Sequence, residues 1–306
     1  MKLDKNYFPG WVRKAITFTN DDGNIPMDRK FIDILKPYGI RGTFNLCSQR
    51  PEMSLSDYRD FYEGYGIANH CKLHPFAFDD GVEYKIAEEP FNPETANIEY
   101  IYPTEEEGVY MVAKTPTAWR KIATSEKYIS LVKEAEDFIY SAFGRTSKSF
   151  VWPFCEQNNK KVFDYLASHY RSVRKTGVMK DSEGFALPKD RLHWSYNAWH
   201  RDLLETAELF ESWADDGELK LFCFGLHSVD YQTEDKWDVL KQFAEKYGDR
   251  PEEFYYDTVD GIFDYEDALA QLQVRDGEVE NSSDITLYVK IDGEPVVLAP
   301  HSVYRV

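Results

Sequence analysis

The amino-acid sequence predicts an α/β fold in which parallel strands alternate with helices to form a barrel. Residues 15–19 alternate apolar and polar side chains as a strand does, and an acidic turn follows them. A helix at 27–38 and a strand at 40–46 complete a strand–helix–strand unit, which requires parallel strands and a right-handed crossover. The alternation continues to an apolar run at 219–226, so functional groups are expected at the carboxyl ends of the strands.

The other elements are predicted from the spacing of apolar residues and from the residues that stop each run. Gly39 ends the first helix and Gly144 ends the longest one. The expected helices span residues 27–38, 56–65, 125–143, 160–169, 203–216, 237–247 and 265–274. The expected strands span residues 15–19, 40–46, 149–154, 170–174 and 219–226.

Two segments fall outside this alternation. Segment 76–124 contains Asp-Gly and Asn-Pro turns and a run of glutamates, and is expected to form a long loop or a small inserted subdomain near the site. After residue 275 the composition changes, and two apolar runs flank an Asp-Gly-Glu-Pro turn that is typical of a hairpin. The chain is therefore expected to divide into a barrel at 1–275 and a small β appendage at 276–306.

The charge of the chain narrows the class of its partner. The 36 basic and 54 acidic residues give a net charge of −18, which would repel a nucleic-acid backbone or an anionic membrane surface. No window is long and apolar enough to span a bilayer, and the first ten residues lack the apolar core of a signal peptide. The chain as written is expected to be cytoplasmic, although a protein trimmed of its leader would look the same.

Cysteine usage indicates neither a disulfide framework nor a thiolate zinc site. Cys47, Cys71, Cys155 and Cys223 are widely spaced and form no Cys-x-x-Cys pair. Three of them stand beside the motifs described below. The default expectation for these thiols is nevertheless that they are buried and inert.

Two adjacent carboxylates, Asp21 and Asp22, end the first strand before Gly23. Side by side they can point in different directions, so that one binds a metal ion while the other moves protons. Taken alone, the pattern fits a solvated Asp-Gly turn better. His70 and His74 change this interpretation, because their spacing puts two imidazoles on one side of a helical turn. Two histidines and one carboxylate bind a zinc-like ion and leave positions open for water and substrate.

Around these residues the sequence resembles the polysaccharide deacetylases, carbohydrate esterase family 4. That family has a deformed (β/α) barrel and removes acetyl groups from N-acetylated sugars or related substrates. Residues 42–45, Gly-Thr-Phe-Asn, resemble the family's Ala-Thr-Phe-Phe strand, and residues 67–75 resemble its metal-binding His motif. The family's Thr-Phe-Asp-Asp-Gly motif has a longer form here, because Thr19 and Asn20 separate Phe18 from the two acids. The resemblance covers roughly residues 15–272.

The resemblance implies a role for each of the residues named so far. Asp22, His70 and His74 would be the ligands of a divalent metal, with Zn²⁺ expected first and Co²⁺, Ni²⁺ or Mn²⁺ as alternatives. Asp21 would be the catalytic base. His227, in a segment that matches the family's Leu-x-x-His motif with Phe224 in the Leu position, would protonate the leaving amine.

The family's third motif, usually Arg-Pro-Pro-Tyr-Gly, departs from its usual form. Residues 151–155 read Val-Trp-Pro-Phe-Cys, so Val151 replaces the Arg that normally holds the catalytic Asp. This resembles a subset whose strand reads Tyr-Pro-Phe-Gly and which carries an Arg on the next strand. Arg174 occupies the matching place and is expected to supply the missing charge to Asp21; the alternative is a surface ion pair. Substrate-binding residues are expected in this motif and in the aromatic segment after it: Trp152, Pro153, Phe154, Trp194 and His200.

The implied function is metal-dependent hydrolysis of an acetyl group on a carbohydrate partner. Two alternatives stay open. One is a carbohydrate-binding protein on a degenerate deacetylase barrel, which loss of the third-motif Arg favours and retention of the acids and histidines opposes. The other is an amidohydrolase acting on a small molecule that is not a sugar, because a fold alone does not determine the substrate.

Overall fold

The computed structural model describes residues 1–48, 53–96, 99–115, 118–178 and 184–305. Residues 97–98 and 116–117 of the expected insertion, and Val306 of the expected appendage, lie outside them. The helices are α1 Ile25–Leu35, α2 Leu55–Phe61, α3 Ser125–Phe143, α4 Lys160–His169, α5 Leu203–Ser212, α6 Ser228–Thr233, α7 Trp237–Tyr247 and α8 Val259–Ala270. The strands are β1 Leu3–Asp4, β2 Lys14–Asp22, β3 Thr43–Leu46, β4 Gly66–Asn69, β5 Phe76–Ala77, β6 Lys85–Ile86, β7 Tyr100–Pro103, β8 Val109–Thr115, β9 Ala118–Ala123, β10 Ser149–Val151, β11 Ser172–Val178, β12 Trp194–Tyr196, β13 Lys220–His227, β14 Phe254–Tyr256, β15 Gln273–Arg275, β16 Glu278–Asn281, β17 Leu287–Ile291, β18 Glu294–Leu298 and β19 Ser302–Arg305.

An eight-stranded parallel sheet forms the centre of the fold. Its strands follow the order β12-β11-β10-β4-β3-β2-β13, and β14 also pairs with β2. A parallel bridge between Ala198, just after β12, and Phe224 of β13 brings the two ends of this row together. The result is the deformed (β/α) barrel that the sequence predicts. Because all these strands are parallel, their carboxyl ends lie at one end of the barrel.

Some helices begin and end at the predicted residues, whereas others do not. The longest helix, α3, runs over the predicted residues, with Thr124 accepting a bond from Lys127 N at one end and Gly144 at φ 68° at the other. The last helix, α8, begins earlier than predicted because Thr258 caps it by accepting a bond from Gly261 N at 3.0 Å. It ends before β15, so residues 273–274 are in a strand. None of the described helices combines the length and apolar character needed to cross a bilayer.

A second sheet follows β4 in the chain. Its five strands follow the order β5-β9-β8-β7-β6 and lie in the segment that the sequence analysis treats as a loop or an insertion. Ile101, Val112 and Ile122 form its small apolar core. The segment after β10 attaches this sheet to the barrel, since Asp80 N donates to the Asn158 carbonyl and Asn159 Nδ2 donates to the Phe78 carbonyl.

The C-terminal segment packs on the barrel next to the N-terminus. The predicted hairpin is present as β17 and β18, and its turn residues Asp292 and Gly293 have φ of 53° and 92°, as a type I′ turn requires. β1 adds to this hairpin as a third strand. Leu287 and Val289 are buried in the same apolar cluster as α8. The proposed division after residue 275 runs through the hairpin of β15 and β16.

Candidate active site

The site lies at the carboxyl ends of the central strands. β2 is buried along almost its whole length, and it continues through both acids. Asp22 has a φ of 77°, in the left-handed region, and its side chain is 44% exposed, whereas that of Asp21 is 7% exposed. The two neighbouring carboxylates therefore occupy different environments, one inside the barrel and one at its mouth.

Asp21 is held inside the barrel by a buried cation and an amide. The Arg174 guanidinium forms an ion pair with Asp21 Oδ1, and Asn45 Nδ2 donates to the same oxygen at 2.6 Å. Arg174 itself is 1% exposed. Burial raises the pKa of Asp21, but the positive charges of Arg174, His70 and His227 outweigh it and leave the pKa below its usual value. Asp21 is therefore ionised and ready to accept a proton.

The register of the sheet explains how Arg174 reaches Asp21. Arg174 of β11 is the register partner of Val151 on β10. Partners on adjacent parallel strands point to the same face of a sheet and lie about 5 Å apart. Arg174 therefore reaches Asp21 from one strand farther along than residue 151. The alternative of a surface ion pair does not apply, because both partners are buried.

Three side chains of the kinds that can bind a metal meet at the barrel mouth. Asp22 Oδ1 lies 3.5 Å from Nε2 of His70 and 3.5 Å from Nε2 of His74, and the two ring nitrogens are 3.2 Å apart. Cys47 Sγ belongs to the same group, in which all ligand atoms lie within 4.8 Å of one another. Cys47 is not among the residues predicted for the site.

The hydrogen bonding of this group suits a cation. His70 Nδ1 lies 2.9 Å from the Val151 carbonyl, which only accepts, so Nδ1 carries the proton and Nε2 presents a lone pair to the group. Burial and the neighbouring His70 lower the pKa of His74 to about 4, which favours its neutral, metal-binding form. Two imidazole nitrogens and a carboxylate oxygen facing one point are the donor set of zinc. These residues therefore fit a divalent metal.

The segment carrying the histidines differs from the predicted helical turn. Cys71, Leu73 and His74 have φ of 60°, 66° and 50°, so the backbone is left-handed at three of four residues. Asn69 Oδ1 accepts from Cys71 N at 2.9 Å and starts this turn directly after β4. The two imidazoles meet because of this turn and not because of helical spacing. Such a concentration of unfavourable backbone angles is typical of functional sites.

His227 ends β13 on the opposite side of the acids. Its Nε2 lies 3.9 Å from Asp22 Oδ2, and its Nδ1 lies 3.0 Å from Asp230 Oδ2. Burial lowers the pKa of His227, but the bond to Asp230 and the charges of Asp21 and Asp22 outweigh it and raise the pKa to about 9. A protonated His227 faces the acids. The His-x-x-Asp spacing, which could have predicted Asp230, was missed.

The residues expected to bind substrate occupy two environments. Trp152 is fully buried against Phe150, and Trp194 is buried against Phe263 and donates to Ser172 Oγ. Their rings are in the interior because they follow or begin strands whose side chains face the core, so neither ring presents a surface to a substrate.

His200 and Pro153 are also buried. His200 lies behind Asp230 with its Nε2 2.9 Å from Glu234. Phe154, at φ 63°, is the residue of the expected set whose ring reaches the metal-binding group, with its centroid 4.3 Å from that of His74.

The second sheet also reaches the site, which the sequence analysis did not specify. Phe76 of β5 stacks on Phe154 with ring centroids 4.3 Å apart. Arg120 of β9 is exposed, and its guanidinium carbon lies 5.3 Å from the centre of the Phe154 ring. Phe154 therefore connects His74 to an aromatic ring and a cation of the second sheet.

Comparison with known proteins identifies related chains. The family model described as polysaccharide deacetylase matches residues 12–173, which include Asp21, Asp22, His70 and His74. Arg174 and His227 lie beyond its end. No curated protein matches the chain.

Several solved structures are similar in fold. The esterase domain of a multidomain xylanase from the hindgut metagenome of Trinervitermes trinervoides is 15% identical, with 84% of this chain and 92% of that chain covered and a TM-score of 0.48. A family 4 acetyl xylan esterase from Clostridium thermocellum, in complex with a cobalt ion, is 15% identical, with 81% and 90% covered and a TM-score of 0.44. A peptidoglycan deacetylase from Bacillus subtilis is 14% identical, with 83% and 92% covered and a TM-score of 0.44.

Proposed function

Because the chain belongs to the polysaccharide deacetylase family, we propose that it is a metal-dependent hydrolase that removes acetyl groups from an acetylated carbohydrate. The observation that carries this proposal is the separation of the two acids. Asp22 faces His70 and His74 at the barrel mouth, while Asp21 is buried and paired with Arg174. A binding protein would have no need of this division between a ligand and an ionised base.

Asp22, His70 and His74 would hold the divalent ion, with Zn²⁺ expected first. When bound, such an ion polarises the acetyl carbonyl and lowers the pKa of water at the site. Asp21 accepts the proton of the attacking water. Arg174 and Asn45 keep Asp21 ionised and fix the oxygen that they both contact, so its second oxygen is the one available for proton transfer.

His227 donates a proton to the leaving group. Asp230 holds Nδ1, so Nε2 is the atom that faces the acids and can transfer the proton. This step matters most for an N-acetyl group, because an amine leaves readily only after protonation. Phe154, stacked on Phe76, would provide an apolar surface for a sugar ring.

The test is release of acetate from acetylated chito-oligosaccharides and from acetylated xylan, measured with and without a chelator. We expect release that the chelator abolishes and that added Zn²⁺ restores. Asp21→Asn should abolish release and leave the metal content unchanged, whereas Asp22→Asn or His70→Ala should reduce the metal content. Absence of release from every acetylated carbohydrate, or normal metal content in both ligand variants, would contradict the proposal. Release from a small acetylated amide alone would favour the amidohydrolase alternative.

A further inference from the structure

We propose that Cys47 is a fourth protein ligand of the metal ion and that its thiolate makes the site select zinc over harder ions such as Mn²⁺. The proposal rests on the proposed metal-dependent function and adds a residue to the same site. The Cys47 sulfur lies 3.9 Å from Asp22 Oδ1 and is one of the four candidate ligand atoms that lie within 4.8 Å of one another.

The sheet register delivers Cys47 to this position. Asp22 of β2 is the register partner of Leu46 on β3, and Leu46 is the partner of Asn69 on β4. Cys47 and His70 directly follow Leu46 and Asn69, so three neighbouring strand ends present a carboxylate, a thiol and an imidazole at one level. The thiol is held there by its own hydrogen bond, since Sγ donates to the His70 carbonyl at 3.2 Å.

His70 directs one ring nitrogen at the centre of the group. It is 1% exposed, and its Nδ1 donates to the Val151 carbonyl, so its Nε2 lone pair points into the group. The polar atoms nearest to this lone pair are Nε2 of His74, at 3.2 Å, and Oδ1 of Asp22, at 3.5 Å. A cation at this point would satisfy all three, and it would lie within reach of the Cys47 sulfur.

Sulfur changes which ion the site prefers. A carboxylate with two imidazoles accepts Zn²⁺, Co²⁺, Ni²⁺ and Mn²⁺, whereas a thiolate favours the softer ions and zinc above manganese. On binding, the sulfur–metal bond forms as the S–H bond breaks, and the proton leaves to solvent without any change of oxidation state. A thiolate from Cys47 would occupy one of the positions that two histidines and one carboxylate leave open, so fewer positions would remain for water and substrate.

The other three cysteines make a selective experiment feasible. Cys71 and Cys223 are buried, whereas Cys47 is partly exposed and Cys155 is exposed. In Cys155→Ser protein, Cys47 is therefore the thiol with access to solvent. This variant keeps the proposed metal ligands intact, and it also serves as the matched control for substitutions at Cys47.

The experiment uses Cys155→Ser protein loaded with Co²⁺ or Zn²⁺. We expect an intense sulfur-to-cobalt charge-transfer absorption in the near ultraviolet, and alkylation of Cys47 by iodoacetamide that zinc slows about tenfold or more, because ligation removes the free thiolate. Adding Cys47→Ser or Cys47→Ala should remove the charge-transfer band. Either substitution should also weaken zinc binding by about tenfold or more, the range in which metal-site changes usually act, and should change manganese binding little.

Three outcomes would overturn the proposal. They are stoichiometric cobalt without a charge-transfer band, alkylation that saturating zinc does not slow, and a protein that binds neither metal. The alkylation test needs no substitution at Cys47, so misfolding of a Cys47 variant cannot obscure the result. Cobalt bound through sulfur in a protein that releases no acetate would contradict the proposed hydrolase function and support the ligation. Acetate release from a protein without the sulfur-to-cobalt charge-transfer band would support the hydrolase function and contradict ligation by Cys47.

Discussion

Arg174 forms a buried ion pair with Asp21 in the interior of the barrel. It lies on β11 next to Val151 of β10, and Val151 stands where the third motif of the family usually has an arginine. The pair joins β11 to β2, which are not neighbours in the sheet. Asp21 is therefore stabilised as a carboxylate across the barrel axis. This relationship leads to the first prediction.

Replacing Arg174 should remove most of the activity and leave metal binding intact. Arg174→Ala leaves the Asp21 carboxylate buried without a counter-charge, so the pKa of Asp21 should rise and kcat should fall by about 100-fold or more. Acetate release and metal content are the two measurements.

Because loss of one partner of a buried ion pair costs about 3–5 kcal/mol of stability, Arg174→Lys provides a milder variant. Arg171→Ala, which removes a partly exposed ion pair with Asp264, is the control. Full activity in folded Arg174→Ala would refute the role.

Replacing Asp230 should impair proton donation by His227. Asp230→Asn weakens the bond to Nδ1 and removes a charge that helps to raise the pKa of His227 to about 9. A general acid works only while protonated, so activity declines as the pH rises through its pKa. The alkaline limb of kcat/KM should therefore move to lower pH, with kcat about 10-fold or more below wild type.

The matched control for this prediction is Glu234→Gln. Glu234 lies in the same region but pairs with His200 and Arg201. Its substitution should leave the alkaline limb in place. If the alkaline limb moves equally in both variants, the shift comes from the loss of any negative charge in this region and not from the contact between Asp230 and His227.

Removing the Phe154 ring should weaken substrate binding more than catalysis. Phe154 is half-buried and stacks on Phe76 next to His74, so Phe154→Ala removes an apolar surface beside the metal-binding group. We expect KM to rise about tenfold, equivalent to about 1.4 kcal/mol, with kcat changed much less. Phe78→Ala is the control, since that ring packs on Tyr84 within the second sheet. A fall in kcat with unchanged KM, or a loss of metal, would show that Phe154 supports His74 instead.

The buried carboxyl of Asp28 should make stability depend on pH. Asp28 accepts bonds from Asn20, Tyr62 and Ser228, but burial outweighs these bonds and raises its pKa to about 6. Since the unfolded pKa is near 3.9, the folded state holds this proton more tightly than the unfolded state. The contribution of Asp28 to the free energy of unfolding is therefore complete below about pH 4. About 3 kcal/mol of it is lost as the pH rises through 6.

Urea unfolding between pH 4 and pH 8 tests this expectation. Asp28→Asn cannot ionise, so its free energy of unfolding should decline less over this range than that of the wild type. Asp33→Asn, an exposed change on the same helix, should behave like the wild type. Parallel pH profiles for the Asp28 variant and the wild type would contradict the prediction.

The amino-acid sequence determined the class of fold and indicated which acids and histidines form the candidate site. Local patterns were sufficient for this, because a period of two marks β2 and the spacing of apolar residues marks α3. The two acids and two histidines were recognisable because Asp21 and Asp22 end β2 and His70 directly follows β4, with His74 four residues later, and the ends of parallel strands meet. The sequence also indicated Arg174, because its segment resembles the subset of the family that carries an Arg on the strand after the third motif.

Only the tertiary structure decided which other residues join the two acids and the two histidines. Cys47 and Asn45 reach the acids through the register of β3, and Arg120 and Phe76 arrive from the second sheet; neither arrangement has a local signature. The burial of Trp152 and Trp194 was likewise undetermined, because an aromatic residue near a strand end can face the core or the mouth of the barrel. Packing across strands distant in sequence makes these choices, and for that reason Asp21 could be proposed as a base from the sequence while its contact with Asn45 could not be predicted.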